Sequence, residues 1–278
     1  MTGEALIRLG AFAAVLVAMA VWERLAPAHA PVDGRGVRWR ANLGLVALDS
    51  LIVRIAMPVG AVGMAVLARE GAFGLFNVVD APPALEFILA VVTLDFAIYL
   101  QHVFFHAVPL LWSLHGVHHS DPDVDATTGV RFHPVEIVLS MALKLAVVAA
   151  LGPAPVAVMA FEIALNAGSV FNHANVRLPE RIDRVLRWVV VTPAMHRVHH
   201  STERDETDSN FGFNLPWWDR LCGTYRQAPR AGDAGVRLGL ESYRDARQLG
   251  LLRLIALPLS LRSEPAAREM DPVRPRRT

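Results

Sequence analysis

The 278-residue chain is 53% hydrophobic and only 19% charged, with a net charge of +1. Soluble domains carry about 25% charge, so the composition tilts toward a bilayer protein, and the near-zero balance leaves no basic field of the kind nucleic-acid binders use. A single cysteine, Cys222, excludes an internal disulfide framework and any multi-cysteine zinc or iron–sulfur site. Lys144 is the only lysine; arginine takes its place elsewhere, which with abundant Ala, Val and Gly points to a GC-rich bacterial genome.

A helix needs about 20 apolar residues to cross a bilayer. In chain order the pattern predicts spans over Ala5 to Trp22, Leu43 to Leu67 (interrupted by Asp49 and Arg54), Ala84 to Leu100 (containing Asp95), Val135 to Leu151 and Ala154 to Phe171. Gly152-Pro153 reads as a tight tip, and because it carries no charge the last two segments are either two full spans or one re-entrant hairpin. Arg24, Arg35, Arg38 and Arg40 follow the first span against only Arg8 before it, which assigns that segment to the cytoplasm. Alternation then brings His102, His106 and everything after about residue 172 to the same face. Ala28-His29-Ala30 has the look of a signal-peptide cleavage site, but four arginines beside it argue against export. Leu249 to Leu261 reads as an interfacial amphipathic helix and the Pro-, Glu- and Arg-rich tail from Ser263 as disordered. The expected fold is an all-α integral membrane bundle of four to five spans, with a cytoplasmic helical cap carrying the histidines. It divides into N-terminal spans (1–83), a catalytic domain (84–228) and a terminal helix and tail (229–278).

Eleven histidines are placed unevenly. His102 and His106 form H-x-x-x-H; His115, His118 and His119 form H-x-x-H-H; His196, His199 and His200 repeat it. Positions three and four apart share a helix face, so each cluster can aim two or three imidazoles at one point. Neutral imidazole binds iron, zinc, copper and nickel, and eight imidazoles exceed the needs of one ion but suit two. One such motif alone carries little weight; three of them on one membrane face have no good structural explanation. His173, at the end of the fifth span, and His133, in Arg131-Phe132-His133-Pro134-Val135-Glu136, are further candidates to complete a coordination sphere. His29 sits in a Pro/Ala-rich linker and is given no role. Asp95 shares a helical stripe with Tyr99, His102 and His106. A carboxylate inside a span is costly, so it is read either as accepting an imidazole N–H or as a partner for Arg54. Asp219 either orients a ligand histidine or caps local structure. Trp217 and Trp218 anchor at the bilayer surface or pack in the core. Glu203, Asp205, Glu206 and Asp208 read as a solvated loop, with docking of a reductase as the alternative.

The order H-x-x-x-H, H-x-x-H-H, single histidine, H-x-x-H-H resembles the fatty acid hydroxylase/sterol desaturase superfamily. The flanks agree: Thr192-Pro193-Ala194-Met195-His196-Arg197-Val198-His199-His200-Ser201 looks like the family's third histidine box, and Asn210-Phe211-Gly212 with Trp218-Asp219-Arg220-Leu221-Cys222-Gly223-Thr224 like its closing block. The resemblance covers about residues 90 to 226. It implies that His102, His106, His115, His118, His119, His196, His199 and His200 are metal ligands, with His173 as an additional one. The cofactor it implies is two iron ions, zinc being a possible substitute. The implied activity is hydroxylation or desaturation of a lipid with O2, with electrons from a separate ferredoxin, cytochrome or reductase. Cys222 stands where members often have an aromatic residue. Two alternatives stay open: a membrane zinc hydrolase, for which no general base of the H-E-x-x-H type is evident, and a metal-binding or transport protein, for which only Asp49, Arg54 and Asp95 offer a polar path.

Overall fold

The computed structural model describes residues 3–31 and 34–263; among them every regular element is helical, and the extended pairings are two isolated bridges. The first part of the chain forms α1 (Gly3–Leu25), α2 (Arg35–Ala56), α3 (Gly60–Glu70), α4 (Leu75–Val78), α5 (Pro83–Ala107), α6 (Pro109–His119), α7 (Pro134–Leu151) and α8 (Pro155–His173). After it come α9 (Glu180–Leu186), α10 (Pro193–His199), α11 (Arg204–Thr207), α12 (Trp217–Leu221) and α13 (Leu251–Ser263). Five stretches are long and apolar enough to cross a membrane: α1, residues 35–78, α5, α7 and α8. The protein is therefore an all-helical membrane protein. Five helices, α5 to α8 and α10, open with proline in the first turn, where its missing N–H and fixed φ cost nothing. The expected disordered tail lies, from residue 264 on, outside the described residues.

The second span departs from the sequence expectation of one helix over Leu43 to Leu67. The helix starts at Arg35 and breaks after Ala56, where Met57 takes φ −137° and ψ 67°. Pro58 causes the break: it has no N–H to donate and it disfavours helical geometry in the residue before it. The chain then resumes as α3, which packs on both α7 and α8. Glycine at the tip between those helices adopts the left-handed conformation expected there, with Gly152 at φ 59°.

Helices α3 and α5 each pack on both α7 and α8, and a core of Ala61, Ala65, Leu94, Ile98, Val148, Val158 and Phe161 fills the junction. At the histidine end a cavity of about 370 Å³ opens, with walls from α2, α5, α7 and α8. Both α7 and α8 have the length of a full span, about 27 Å or more at 1.5 Å per residue.

Buried polar clasps hold the loop between α6 and α7 against the first two helices. Arg38, read from sequence as a flanking arginine, is fully buried. Its Nε donates to Asp121 at 2.5 Å and its Nη1 to Asp123 and Asp125 at 3.1 Å each. Burial pushes the Asp121 carboxyl up, but Arg38 and Arg131 outweigh it and hold the group at about 2. Asn42 links α2 to Thr127 and Arg131, at 2.9 and 3.0 Å. On α1, Glu23 accepts the backbone N–H of Ala126 and of Asn175, both at 2.7 Å. The first two helices thus brace the segments that carry the second histidine motif and His173. Helix α13 packs its Leu254 and Leu257, with Leu249, on α2 and Val117 of α6, while Leu252 and Leu259 face outward. The expected amphipathic helix exists, and its inner face covers protein.

Candidate metal centre

Nine histidines converge at one end of the bundle. Helix α5 brings His102 and His106, one turn apart; α6 brings His115, His118 and His119; the last residue of α8 is His173; and α10 brings His196 and His199, with His200 capping it. Thr192 starts α10 by accepting the N–H of Met195 in front of Pro193, which fixes where the third motif begins its helical turn. The nine divide into two groups that could each hold a metal ion: His102, His106, His115, His119 and His199 in the first, His118, His173, His196 and His200 in the second. Within each group the candidate ligand atoms lie within 4.8 Å of one another. The groups touch, the ring of His119 stacking on His200 at 4.5 Å between centroids.

The chemistry of this donor set fits metal ions. Seven ring nitrogens are buried with no hydrogen-bond partner: His106 Nε2, His118 Nδ1, His119 Nε2, His196 Nδ1, His199 Nε2 and both nitrogens of His200. Buried polar atoms are normally satisfied, and so many orphans in one place call for an occupant. Three pairs of Nε2 atoms approach closely, His102–His115 and His118–His173 at 3.0 Å and His173–His196 at 2.9 Å. Two ligands about 2.1 Å from one ion at a right angle would stand about 3.0 Å apart, and at the tetrahedral angle about 3.4 Å. Burial first, and neighbouring imidazoles second, push His118, His119, His196, His199 and His200 well below the usual histidine pKa, which leaves them neutral.

In five of the rings the Nδ1 atom is tied back into the protein. His115 Nδ1 donates to Glu136 at 2.7 Å, His102 Nδ1 to the Phe211 carbonyl at 2.8 Å, His199 Nδ1 to the Ser209 carbonyl at 2.7 Å, His173 Nδ1 to the Ser169 carbonyl at 2.6 Å, and His106 Nδ1 reaches Asp208 at 3.3 Å. Each such bond fixes the tautomer and leaves Nε2 with its lone pair.

The structure places several of the candidate residues away from the two groups. His133 lies outside both groups: its Nδ1 accepts the N–H of Val135 as the cap of α7 and its Nε2 meets the Ile255 carbonyl. A histidine immediately before a helix-opening proline has a backbone donor to satisfy, and that decides its role. Asp95 contacts neither an imidazole nor Arg54. It accepts from Asn214 Nδ2 at 2.9 Å, Trp218 Nε1 at 2.8 Å and the Leu215 N–H at 3.3 Å, and so ties α5 to the closing segment. Tyr99 likewise bonds Thr224, at 3.1 Å. Asp219 acts at one remove: it accepts the N–H of Phe211 and of Gly212, each at 2.8 Å, and so holds the loop whose Phe211 carbonyl receives His102. Burial pushes its carboxyl up to about 6 against those hydrogen bonds. In the acidic stretch, Asp205 pairs with Arg226 and Arg230, Glu206 is buried, and Asp208 reaches His106, so the loop is only partly solvated. Trp218 packs on Phe96, whereas Trp217 is partly exposed and donates to the Trp188 carbonyl. The residue that sequence reasoning missed is Glu136. It lay in a quoted motif beside His133, and its signal was a carboxylate in the first turn of a span, the same criterion that drew attention to Asp95.

Nine buried imidazoles, split five and four at one end of a helical membrane bundle, form two groups with the donors to hold metal ions. Residues 87–224 match the family model described as fatty acid hydroxylase, and this part of the chain is a domain of that family. Among curated proteins it is 31% identical to an ornithine lipid hydroxylase, OlsE, of Rhizobium tropici over 156 residues, 56% of this chain and 46% of the relative. It is 27% identical to an alkylglycerol monooxygenase of Xenopus tropicalis over 193 residues, 69% of this chain and 42% of the relative. The matched stretches span less than half the length of these two relatives. No solved structure matches the chain.

Proposed function

We propose that this chain is a membrane oxidoreductase that hydroxylates a lipid C–H bond, using O2 and electrons from a separate ferredoxin, cytochrome or reductase. The observation that carries the reading is the pair of histidine groups with seven orphaned ring nitrogens, opening on a cavity between spans. Hydroxylation is chosen over desaturation because the relatives are a hydroxylase and monooxygenases by name. The first group of five histidines and the second of four would each hold one iron ion. Approaches of 2.9–3.0 Å between Nε2 atoms bring neighbouring imidazoles close enough to share one ion. Arg24 and Arg40, with the arginine-rich segment after residue 173, favour a cytoplasmic site in a bacterial inner membrane.

Iron held there supplies O2 activation and hydrogen abstraction from an unactivated C–H bond, chemistry that no side chain provides. The side chains do the rest. His102 and His115 stand at the cavity wall, so the reacting carbon lies against the first group. Glu136 and the Phe211 carbonyl lock those two rings from behind. Phe105, Phe132 and Phe213 line the same end and keep water away from the reacting carbon.

A hydrolase reading gains one point, since Glu136 is a carboxylate beside the histidines with Oε2 unpaired. A transport reading loses ground: Asp49 lines the cavity, but Asp95 is engaged at the closing segment and Arg54 is exposed. Lipid extracts of cells expressing the chain and its His118→Ala variant separate the readings. Oxygenase function gives lipids heavier by one oxygen, dependent on air and absent in the variant; cleaved lipids that form equally without oxygen would replace it with hydrolysis.

A further inference from the structure

The cavity wall is unbalanced in charge, and the imbalance describes its ligand. On the wall Glu162 is shared by Lys144, at 2.8 Å, and Arg8, at 3.0 Å, and Arg8 also meets Glu4 at 3.1 Å. Two cations are thus neutralised by two carboxylates. Apart from imidazoles, the other ionisable wall residues are Asp49 and Glu136, both acidic. Asp49 is 5% exposed, and its Oδ1 has no hydrogen-bond partner; no ion pair to it is found among the described residues. Glu136 spends Oε1 on His115 and leaves Oε2 unpaired, and Gln101 Oε1 is unpaired as well. Three acceptors therefore face one cavity with no protein donor. A buried carboxylate without a partner is costly, more so inside a membrane, and is retained where a ligand completes it.

We propose that Asp49 anchors a protonated amine on the polar head of the lipid substrate, with Glu136 and Gln101 as further acceptors beside it. This rests on the reading that the cavity receives the substrate. A hydroxyl would satisfy one acceptor and leave the other two unmet; an ammonium offers three donors and a charge that favours the ionised carboxylate. The anchor lies on α2 and shares the cavity wall with His102 and His115, so a lipid held by its head amine presents atoms of the head or its linkage to the metal groups.

The test titrates the metal-loaded protein in detergent with a lysophosphatidylethanolamine and with its N-acetyl derivative, which has the same chain and no ammonium. Wild type should bind the amine about tenfold more tightly or better, the scale of a charge-assisted hydrogen bond. Asp49→Asn should bring the ratio to about one, and Asp49→Glu should retain it, with metal content and melting temperature unchanged in both. Equal affinity of wild type for the two lipids overturns the proposal without recourse to any variant, and so does a ratio preserved in Asp49→Asn. Amine-selective binding that yields no oxygenated lipid supports the anchor and counts against the oxygenase reading; oxygenated product formed equally well from the N-acetyl lipid counts against the anchor alone.

Discussion

In each H-x-x-H-H run the first and last histidines, four apart, enter one group while the middle one crosses to the other. His115 and His119 join the first group and His118 the second; His196 and His200 join the second and His199 the first. The spacing allows this, since adjacent residues lie about 100° apart around a helix, so the last two histidines of each run point to different sides. Each motif therefore serves both groups, and the two motifs do so in opposite senses. Adjacent substitutions should then have separable effects. His199→Ala and His200→Ala are each expected to reduce bound metal from about two ions per chain to about one, with different residual spectra, because they strike different groups. Loss of both ions from either single variant, at unchanged helical content, would contradict a divided centre. Glu136 gives a second residue-scale prediction. Glu136→Ala should cost about 10- to 100-fold in metal affinity or activity by freeing the His115 ring. Glu136→Gln, whose amide carbonyl can still accept that N–H, should recover most of it. Metal titration of the two variants compares them directly.

At the scale of elements, the site depends on backbone contacts between segments far apart in sequence. Gly129 packs so close to α8 that an added Cβ would stand 2.5 Å from the Ser169 carbonyl oxygen, the acceptor of His173 Nδ1. Gly129→Ala must push that backbone away, at a cost of about 1–3 kcal/mol. It should weaken metal binding in the second group more than in the first, as metal titration would reveal. The Arg38 clasp makes a complementary prediction. Arg38→Ala leaves Asp121, Asp123 and Asp125 without their shared cation in a buried loop, and loss of one partner from such a network costs about 3–5 kcal/mol. Arg38→Lys should not restore stability, because one ammonium lacks the fork that reaches all three carboxylates. Melting temperatures in detergent would show both variants well below wild type; a lysine variant as stable as wild type would mean the clasp contributes only charge.

Across the whole molecule, what could be read from sequence was what local pattern encodes. Apolar runs marked the five spans, and histidine spacing marked the three motifs. Pro58 was equally visible, yet the apolar run across it masked the break it makes between α2 and α3. Long-range placement was harder to read. Asp95 was singled out as a carboxylate inside a span, but its partners, Asn214, Leu215 and Trp218, come from the other end of the domain, while Asp219, read as orienting a ligand histidine or capping local structure, binds the nearby backbone of Phe211 and Gly212. The division of the histidines likewise arises where α5, α6, α8 and α10 meet, and no single segment contains it. His133 was drawn toward the metal by its residue type, while the proline after it set its actual role as a cap. The account as a whole stands on one reaction: oxygen from O2 entering a lipid at these histidines. The most direct measurement supplies the purified, iron-loaded protein with a lipid extract, a chemical reductant and ¹⁸O2, and weighs the products. The account predicts a lipid product carrying one ¹⁸O atom, lost when iron is stripped and absent from His118→Ala. Label entering from H2¹⁸O instead, or cleaved lipid formed equally well without oxygen, would contradict it.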